Sequence, residues 1–329
     1  MKKLINDPFD AVDEMLEGFV AAHAGLVRLG APRVVARREP SDGKVGIVIG
    51  GGSGHEPAFA GYVGTGFADA AASGNVFASP PPDVCLDAIR AASTGHGVLL
   101  SYGNYSGDVM NFGLAAQLAA AEGIEVREVR VSDDVASAPP SEIDKRRGIA
   151  GDIFVFKCAG AMAERGESLD EVERMARKAN AATRSMGVAL YACEVPGSGR
   201  LTFELGDDEM EIGMGAHGEP GMRRGPLEPA DQVARLLVES ILADLGHPAG
   251  AEMALLVNGM GATSHLDLYI LYRGARQVLE ASGCAVSRSY VGEFITTLEM
   301  SGASVTVMVL DDELRGLLDA PARTVGFVQ

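Results

Sequence analysis

The sequence predicts an α/β protein of two domains, each a largely parallel or mixed sheet flanked by helices. Three observations carry this. Short apolar runs that end in glycine or turn residues alternate with segments of helical period, the pattern of strand–helix units. The length, 329 residues, corresponds to about two domains at roughly 150 residues each. Hydrophobic residues make up 47% of the chain and charged residues 22%. That globular composition excludes disorder, collagen-like repeats and coiled-coil fibres as the main description.

The elements follow in order. Asp7 is placed to cap a first helix and Pro8 suits its first position. Val12, Met15, Leu16, Phe19, Val20 and His23 then recur at helical spacing. Lys44–Gly50 is a short apolar run, the mark of a buried parallel strand. Pro80–Pro82 precede a helical pattern through Val84, Leu86 and Ile89, and Gly97–Tyr102 reads as a second buried strand. A helix is expected over about 109–122, then a strand over Ile124–Val129, then helices around Ile153–Glu164 and Leu169–Met186. From Val188 strand character returns in VALYACEV, LTFEL and EMEIGMG. Helices over about 228–245 and 265–281 alternate with the strands MALLVNGM and SVTVMVL. The domain division is placed near Met186, giving an N-terminal domain of residues 1–186 and a C-terminal domain of 187–329.

Lysine and arginine number 28 against 45 aspartates and glutamates, a net charge of −17. No basic footprint for nucleic acid is visible, and an anionic membrane surface would repel the chain. Small anionic substrates remain compatible with local cationic sites. Cys85, Cys158, Cys193 and Cys284 are dispersed without a CxxC pair, so neither a zinc knuckle nor a redox dithiol is expected. The N-terminus turns polar at Asn6-Asp7-Pro8, and no run approaches the ~18 apolar residues of a membrane span, so the expected location is cytoplasmic.

Glycine is over-represented: 42 residues, where average usage gives roughly 23. Three glycine-rich loops follow apolar strands, at the strand ends where open α/β sheets bind ligands. The first is Gly50–Pro57, in which four glycines and Ser53 expose backbone N–H groups that can hold an oxygen-rich ligand, beside His55. It lacks the Gly-Lys-Ser/Thr ending of a P-loop and reads equally as a tight turn with a surface histidine. The second is Gly103–Asp108, where Asp108 alone reads as a helix N-cap. The third is Gly213–Gly221 around His217. Gly213, Gly215 and Gly218 match GxGxxG, but Pro220 and Gly221 forbid the helix that a dinucleotide site requires. SGHEP (53–57) and AHGEP (216–220) echo each other. No metal-ligand spacing and no GxSxG elbow occur. A histidine can exchange protons or act as a neutral nucleophile and an aspartate can accept a hydroxyl proton, so two histidines and an aspartate suit group transfer to a hydroxylated small molecule.

Together GGGSGHEP (50–57), GNYSGDVMNF (103–112) and MGAHGEPG (214–221) resemble the K subunit of dihydroxyacetone kinase, over essentially the whole chain. The resemblance implies two α/β domains, a homodimer, a bound short-chain ketose and no nucleotide site on this chain. It implies that His217 attacks the ketone carbon and holds the substrate as a hemiaminal. Asp108 is then the base for the terminal hydroxyl, His55 hydrogen-bonds that hydroxyl, and Gly52, Ser53 and Gly54 supply backbone contacts. Where many members carry a lysine before Asn-Tyr, this chain has Gly103, which removes a cation and makes room for a four-carbon ketose such as erythrulose.

The leading expectation is therefore the substrate-binding subunit of a short-chain ketose kinase. A separate nucleotide-binding subunit is implied, supplying ATP, or ADP recharged by a phosphotransfer protein, with Mg. A ketose-sensing coregulator on the same scaffold is the runner-up; the presence of Asp108 and His55 argues against it, since a sensor needs only the anchor. An α/β sugar-phosphate binder is the third alternative.

Overall fold

A computed structural model describes residues 2–40, 43–215 and 217–329. The elements in chain order are α1 (Ala11–Ala22), β1 (Val27–Ala31), β2 (Val34–Arg37), β3 (Gly46–Ser53), β4 (Ala70–Val76), α2 (Pro82–Ala92), β5 (Val98–Gly103), α3 (Ser106–Ala121), β6 (Val126–Val131), α4 (Asp152–Glu164) and α5 (Leu169–Ala182). They continue with β7 (Thr183–Tyr191), β8 (Glu209–Ile212), β9 (Arg223–Pro226), α6 (Ala230–Asp244), β10 (Glu252–Gly259), α7 (His265–Ala281), β11 (Ala285–Gly292), β12 (Ser301–Leu310) and α8 (Asp312–Leu318).

The chain forms two compact units, each assembled from separated segments. Unit one takes the described residues up to Val131, with Ile153–Ala179 and Leu314–Gln329. Unit two takes Ser132–Asp152 and the described residues of Asn180–Glu313. The expected division at 186/187 falls inside β7, a strand of unit two. Discontinuity of this kind leaves no local mark. The segments are drawn in by long-range partners, such as the Phe327 ring, 5.0 Å from that of Phe67.

In unit one the sheet order is β1-β2-β4-β3-β5-β6. Strands β4, β3, β5 and β6 are mutually parallel, and the β1–β2 hairpin joins antiparallel at the β4 edge. Val48, Leu100, Tyr102, Ala70 and Ala72 are buried against Leu86 and Ile89 of α2 and Phe112, Ala115 and Ala119 of α3. A buried charge cluster completes the unit. The Asp69 carboxylate accepts from Arg37 (2.8 Å), Lys44 (2.6 Å) and the Ile47 N–H (2.8 Å), and Arg37 also donates to Glu164 (2.6 Å).

In unit two the order is β11-β10-β12-β7-β8-β9, and only the β10–β11 pair is parallel. This is the mixed form of the expected α/β architecture. Its core lies between Met186, Val188, Leu255, Val257, Val305 and Val307 of the sheet and Leu237, Ile241, Leu268 and Leu279 of α6 and α7. Asp244 closes α6 by accepting two bonds from Arg146 (2.9 and 2.6 Å) and one from Arg184 (2.5 Å). All four cysteines are buried.

Several expected boundaries move. Asp7 shapes a turn, accepting the Phe9 N–H on its side chain (2.9 Å), and α1 begins after Asp10. Helix α5 ends at Ala182 because Thr183–Met186 pair with β12, so sheet hydrogen bonds override the local helical period. LTFEL makes only an isolated bridge, Leu201 to Glu194. Strand β4, whose sequence is AAASGNV, has a single branched apolar residue, Val76 at its end, and its buried part is made of small residues.

A Cβ on Gly50 would lie 2.5 Å from the Ala72 carbonyl oxygen and 2.9 Å from Phe112 Cζ. Gly50→Ala therefore lowers stability by about 1–3 kcal/mol. Gly113 of α3 has nothing within 4 Å of its Cβ direction, so Gly113→Ala raises stability by roughly 0.5–1 kcal/mol. Urea unfolding midpoints of the two variants check these opposite signs.

Candidate active site

The first candidate loop is largely strand. Gly50–Ser53 are the buried C-terminal half of β3. Side chains alternate across a strand, and Gly50 and Gly52 accordingly back onto Phe112 and onto Phe77–Ala78 on one face. Ser53 donates to the Gly74 carbonyl (2.8 Å), and Gly54 turns the chain at φ +97°. The Gly54 N–H donates to the Glu56 carboxylate (3.0 Å), and burial pushes the Glu56 carboxyl up. His55, which the sequence left between a surface turn and a ligand site, is only 4% exposed. Its ring lies 5.2 Å from that of Phe77.

Phe77 opens a segment that the sequence reading passed over. It sits at φ +56°, a left-handed conformation costly for an aromatic residue, and donates its N–H to the Ser53 carbonyl (3.0 Å). Gly74 permits this, since a Cβ there would collide with the Ala78 carbonyl oxygen. Further on, Ser79 Cβ comes within 3.2 Å of the Gly107 Cβ direction, and Asn111 donates to the Pro80 carbonyl (2.9 Å). Phe77–Pro80 thus touches the His55 loop at one end and the Asp108 turn at the other. Its sequence signal, three consecutive prolines, announced only the helix that follows.

Asp108 stands inside the first turn of α3, not at its cap. Helix α3 starts at Ser106 with Tyr105 as N-cap, and the Val109 N–H donates to the Tyr105 carbonyl (2.9 Å). The positive end of the helix dipole favours a carboxylate there. Asp108 is 8% exposed. Desolvation, and then the negative charge of Asp108, push the neighbouring Cys85 thiol well up. Gly103 is the buried last residue of β5.

His217 belongs to unit two. It lies on the connection between the antiparallel strands β8 and β9, so a strand, not a helix, follows the GxGxxG match. Its Nδ1 is 2.9 Å from Glu219 Oε1, and its backbone N–H donates to Glu219 Oε2 (2.9 Å). Burial opposes ionisation of Glu219, but the hydrogen bond and charge of His217 outweigh it and hold the carboxyl down at about 2. A carboxylate on Nδ1 keeps the proton there and leaves the Nε2 lone pair for chemistry. The echo between SGHEP and AHGEP has a shared geometry: each glutamate accepts the N–H of the residue two positions earlier, Gly54 or His217. Ala216 lies outside the described residues. Glu219 was overlooked in the sequence, because a lone glutamate in a loop reads as solvated.

Among the described residues no group of three or more His, Cys, Asp or Glu is arranged to hold a metal ion. No helix among them is long and apolar enough to cross a membrane.

With both loop systems in view, comparison with known proteins is decisive. The Dak1 domain matches residues 17–326. This chain belongs to the Dak1 family. Among Dak1 relatives, the dihydroxyacetone-binding subunit DhaK of the PTS-dependent dihydroxyacetone kinase 2 of Listeria innocua is 46% identical over 99% of both chains. The L-erythrulose kinase of Pectobacterium atrosepticum is 45% identical over 99% of this chain, which spans 56% of that protein. The crystal structure of the dihydroxyacetone kinase of C. freundii superimposes with a TM-score of 0.90 at 35% identity, covering 99% of this chain and 60% of that one.

The Glu219 interaction gives a pH signature. Its carboxyl stands at about 2 in the folded chain against an ordinary 4.5. A group lowered by folding stabilises fully above its unfolded value and loses that contribution as pH falls through the folded one. Glu219→Gln therefore flattens the loss of stability between pH 4.5 and 2, as read from unfolding midpoints measured against wild type across that range.

Proposed function

We propose that this chain is the ketose-binding subunit of a short-chain ketose kinase, phosphorylated ketose being formed only with a separate nucleotide-bearing subunit. The observation that carries the reading is the Glu219 carboxylate on His217 Nδ1 at 2.9 Å, which in the neutral ring places the proton on Nδ1 and leaves the Nε2 lone pair to act as nucleophile. Names of relatives at 46% and 45% identity over 99% of the chain support the substrate class.

In unit two, His217 Nε2 adds to the ketone carbon. An N–C bond forms, the carbonyl π pair moves to oxygen, and that oxygen takes a proton. The product is a hemiaminal, with no water lost. Ketones can form it and glycerol cannot. A three-carbon ligand offers little contact area, so a reversible covalent bond fixes its orientation.

In unit one, Asp108 accepts the proton of the terminal hydroxyl as its oxygen attacks the phosphoryl group. His55 hydrogen-bonds that hydroxyl, and Gly52, Ser53 and Gly54 line the ketose with backbone. The nucleotide resides with Mg on the partner subunit, as ATP or as ADP recharged by a phosphotransfer protein. The chain acts as a homodimer in the cytoplasm. A second reading changes only the substrate. Gly103 stands where many members of the family carry lysine, and an erythrulose kinase is among the relatives, so a four-carbon ketose is the other occupant.

Two experiments test the assignment. With dihydroxyacetone labelled with ¹³C at the ketone carbon, wild type converts the trigonal carbon signal to a tetrahedral one, and His217→Ala does not. A missing adduct in wild type, or one that survives His217→Ala, rejects the anchor. Asp108→Asn keeps the adduct and loses about 10²–10⁴-fold in phosphoryl transfer when the partner subunit is supplied. Unimpaired turnover rejects the base. The same coupled assay, run with dihydroxyacetone, both erythruloses and glycerol, identifies the substrate.

A further inference from the structure

Glu219 does not stand alone. Behind it, within unit two, lies a chain of alternating charge that neither the family motifs nor the three predicted residues include. Arg147 approaches Glu219 Oε2 with Nη1 at 3.9 Å and donates from Nη2 to the Gly213 carbonyl (3.2 Å). Its other edge is fixed. Nε donates to Asp134 Oδ2 (2.9 Å), and Nη2 is 2.8 Å from the same oxygen.

Asp134 is in turn immobile. It is 1% exposed, and its Oδ1 accepts the Ala136 N–H (3.0 Å). The two residues are also tied through the backbone: the Asp134 N–H donates to the Arg147 carbonyl (3.1 Å). Ser137 Oγ donates to the Asp134 carbonyl (2.8 Å) and accepts the Arg147 N–H (3.0 Å). The guanidinium is thus held on a rigid base and spends its remaining donors on the His217 loop.

Two further facts separate this pair from an ordinary ion pair. Burial pushes the Asp134 carboxyl up to about 6 despite Arg147 beside it. Buried pairs of this kind contribute little net stability compared with apolar packing, so stability alone is a weak reason to retain one. The loop is also shaped around the contact. A Cβ on Gly215 would collide with both Glu219 Oε2 and Arg147 Nη1.

We propose that Arg147, anchored by Asp134, is a positioning residue that holds Glu219 on His217 Nδ1 and so sets the reactivity of Nε2. Arg147 touches no substrate in this assignment. Its function rests on the reading of His217 as the nucleophile. Arginine suits it because the planar, permanently charged fork can face a carboxylate on one edge and a carbonyl and second carboxylate on the other.

The test reads His217 with and without ketose. Without ketose, the rate of His217 acylation by diethyl pyrocarbonate is followed by peptide mapping. With ketose, the ¹³C adduct is followed as above. Arg147→Met lowers the acylation rate about 10-fold, to the level of Glu219→Gln. The double variant is no slower than either single one, because both remove the same link. Arg147→Lys restores part of the rate, which a purely structural defect would not allow. Asp134→Asn acts in the same direction to a smaller extent and keeps the test intact if Arg147→Met does not fold.

An unchanged or faster rate in Arg147→Met and Asp134→Asn overturns the proposal, as does full additivity with Glu219→Gln. Absence of any ketose adduct in wild type, with the acylation pattern as expected, overturns the anchor reading instead and leaves the positioning role of Arg147 supported.

Discussion

The segment from Phe77 to Pro80 can lie against β3 and β4 because Gly52 and Gly74 have no side chains: the space their Cβ atoms would fill is taken by the Ala78 backbone. The consequences spread in both directions. At one end the segment forces Phe77 into a left-handed conformation and sets its ring beside His55. At the other it brings Ser79 against Gly107, one residue before Asp108. Two chemically capable side chains, one after a strand and one in the first turn of a helix, are thus referred to one short piece of backbone. Such a piece is stiff because its hydrogen bonds, Phe77 to Ser53 and Asn111 to Pro80, reach both neighbours.

An acidic protein uses its cations sparingly and places several inside. Arg37 and Lys44 meet Asp69 in unit one, and Arg146 and Arg184 meet Asp244 in unit two. Removing one member of a buried pair costs about 3–5 kcal/mol, because the charge left behind is uncompensated. Asp244 is held below the ordinary carboxylate range: burial opposes its ionisation, and the two arginines outweigh it. The net charge of −17 is therefore a property of the surface more than of the interior, where Asp69 and Asp244 are matched by cations.

What could be read from sequence followed locality. Strands with branched apolar cores, β3, β5, β10 and β12, declared themselves, as did the helices with a clear period. Strand β4 did not, because alanine, serine and glycine carry no strand signal and their fitness there is close packing. The end of α5 was misplaced because Thr183–Met186 are decided by pairing with β12, more than a hundred residues away. The three glycine-rich segments stood out, although Gly50–Ser53 are strand and Ser106–Asp108 are helix, and the family motifs singled out His55, Asp108 and His217. The groups that hold them were not legible. Phe77 acts through an unusual backbone angle, and Asp134 and Arg147 lie at least 70 residues from His217. Glu219 lay within a quoted motif, and only its distance to Nδ1 gives it meaning.

The interleaving of the two units bears on how the chain acquires its structure during synthesis. Leu314–Gln329 belong to unit one, where Arg323 pairs with Thr65 and Phe327 packs on Phe67. A nascent chain emerging from the ribosome cannot complete its first unit from its first half. Partial folds must wait, with the ring of Phe67 lacking its Phe327 partner, until Leu314–Gln329 appear. Nearly the whole of unit two is translated in that interval. The fold thus couples the completion of the unit bearing Asp108 to the synthesis of the unit bearing His217, and a truncated product would carry neither a finished first unit nor a free-standing substitute for it.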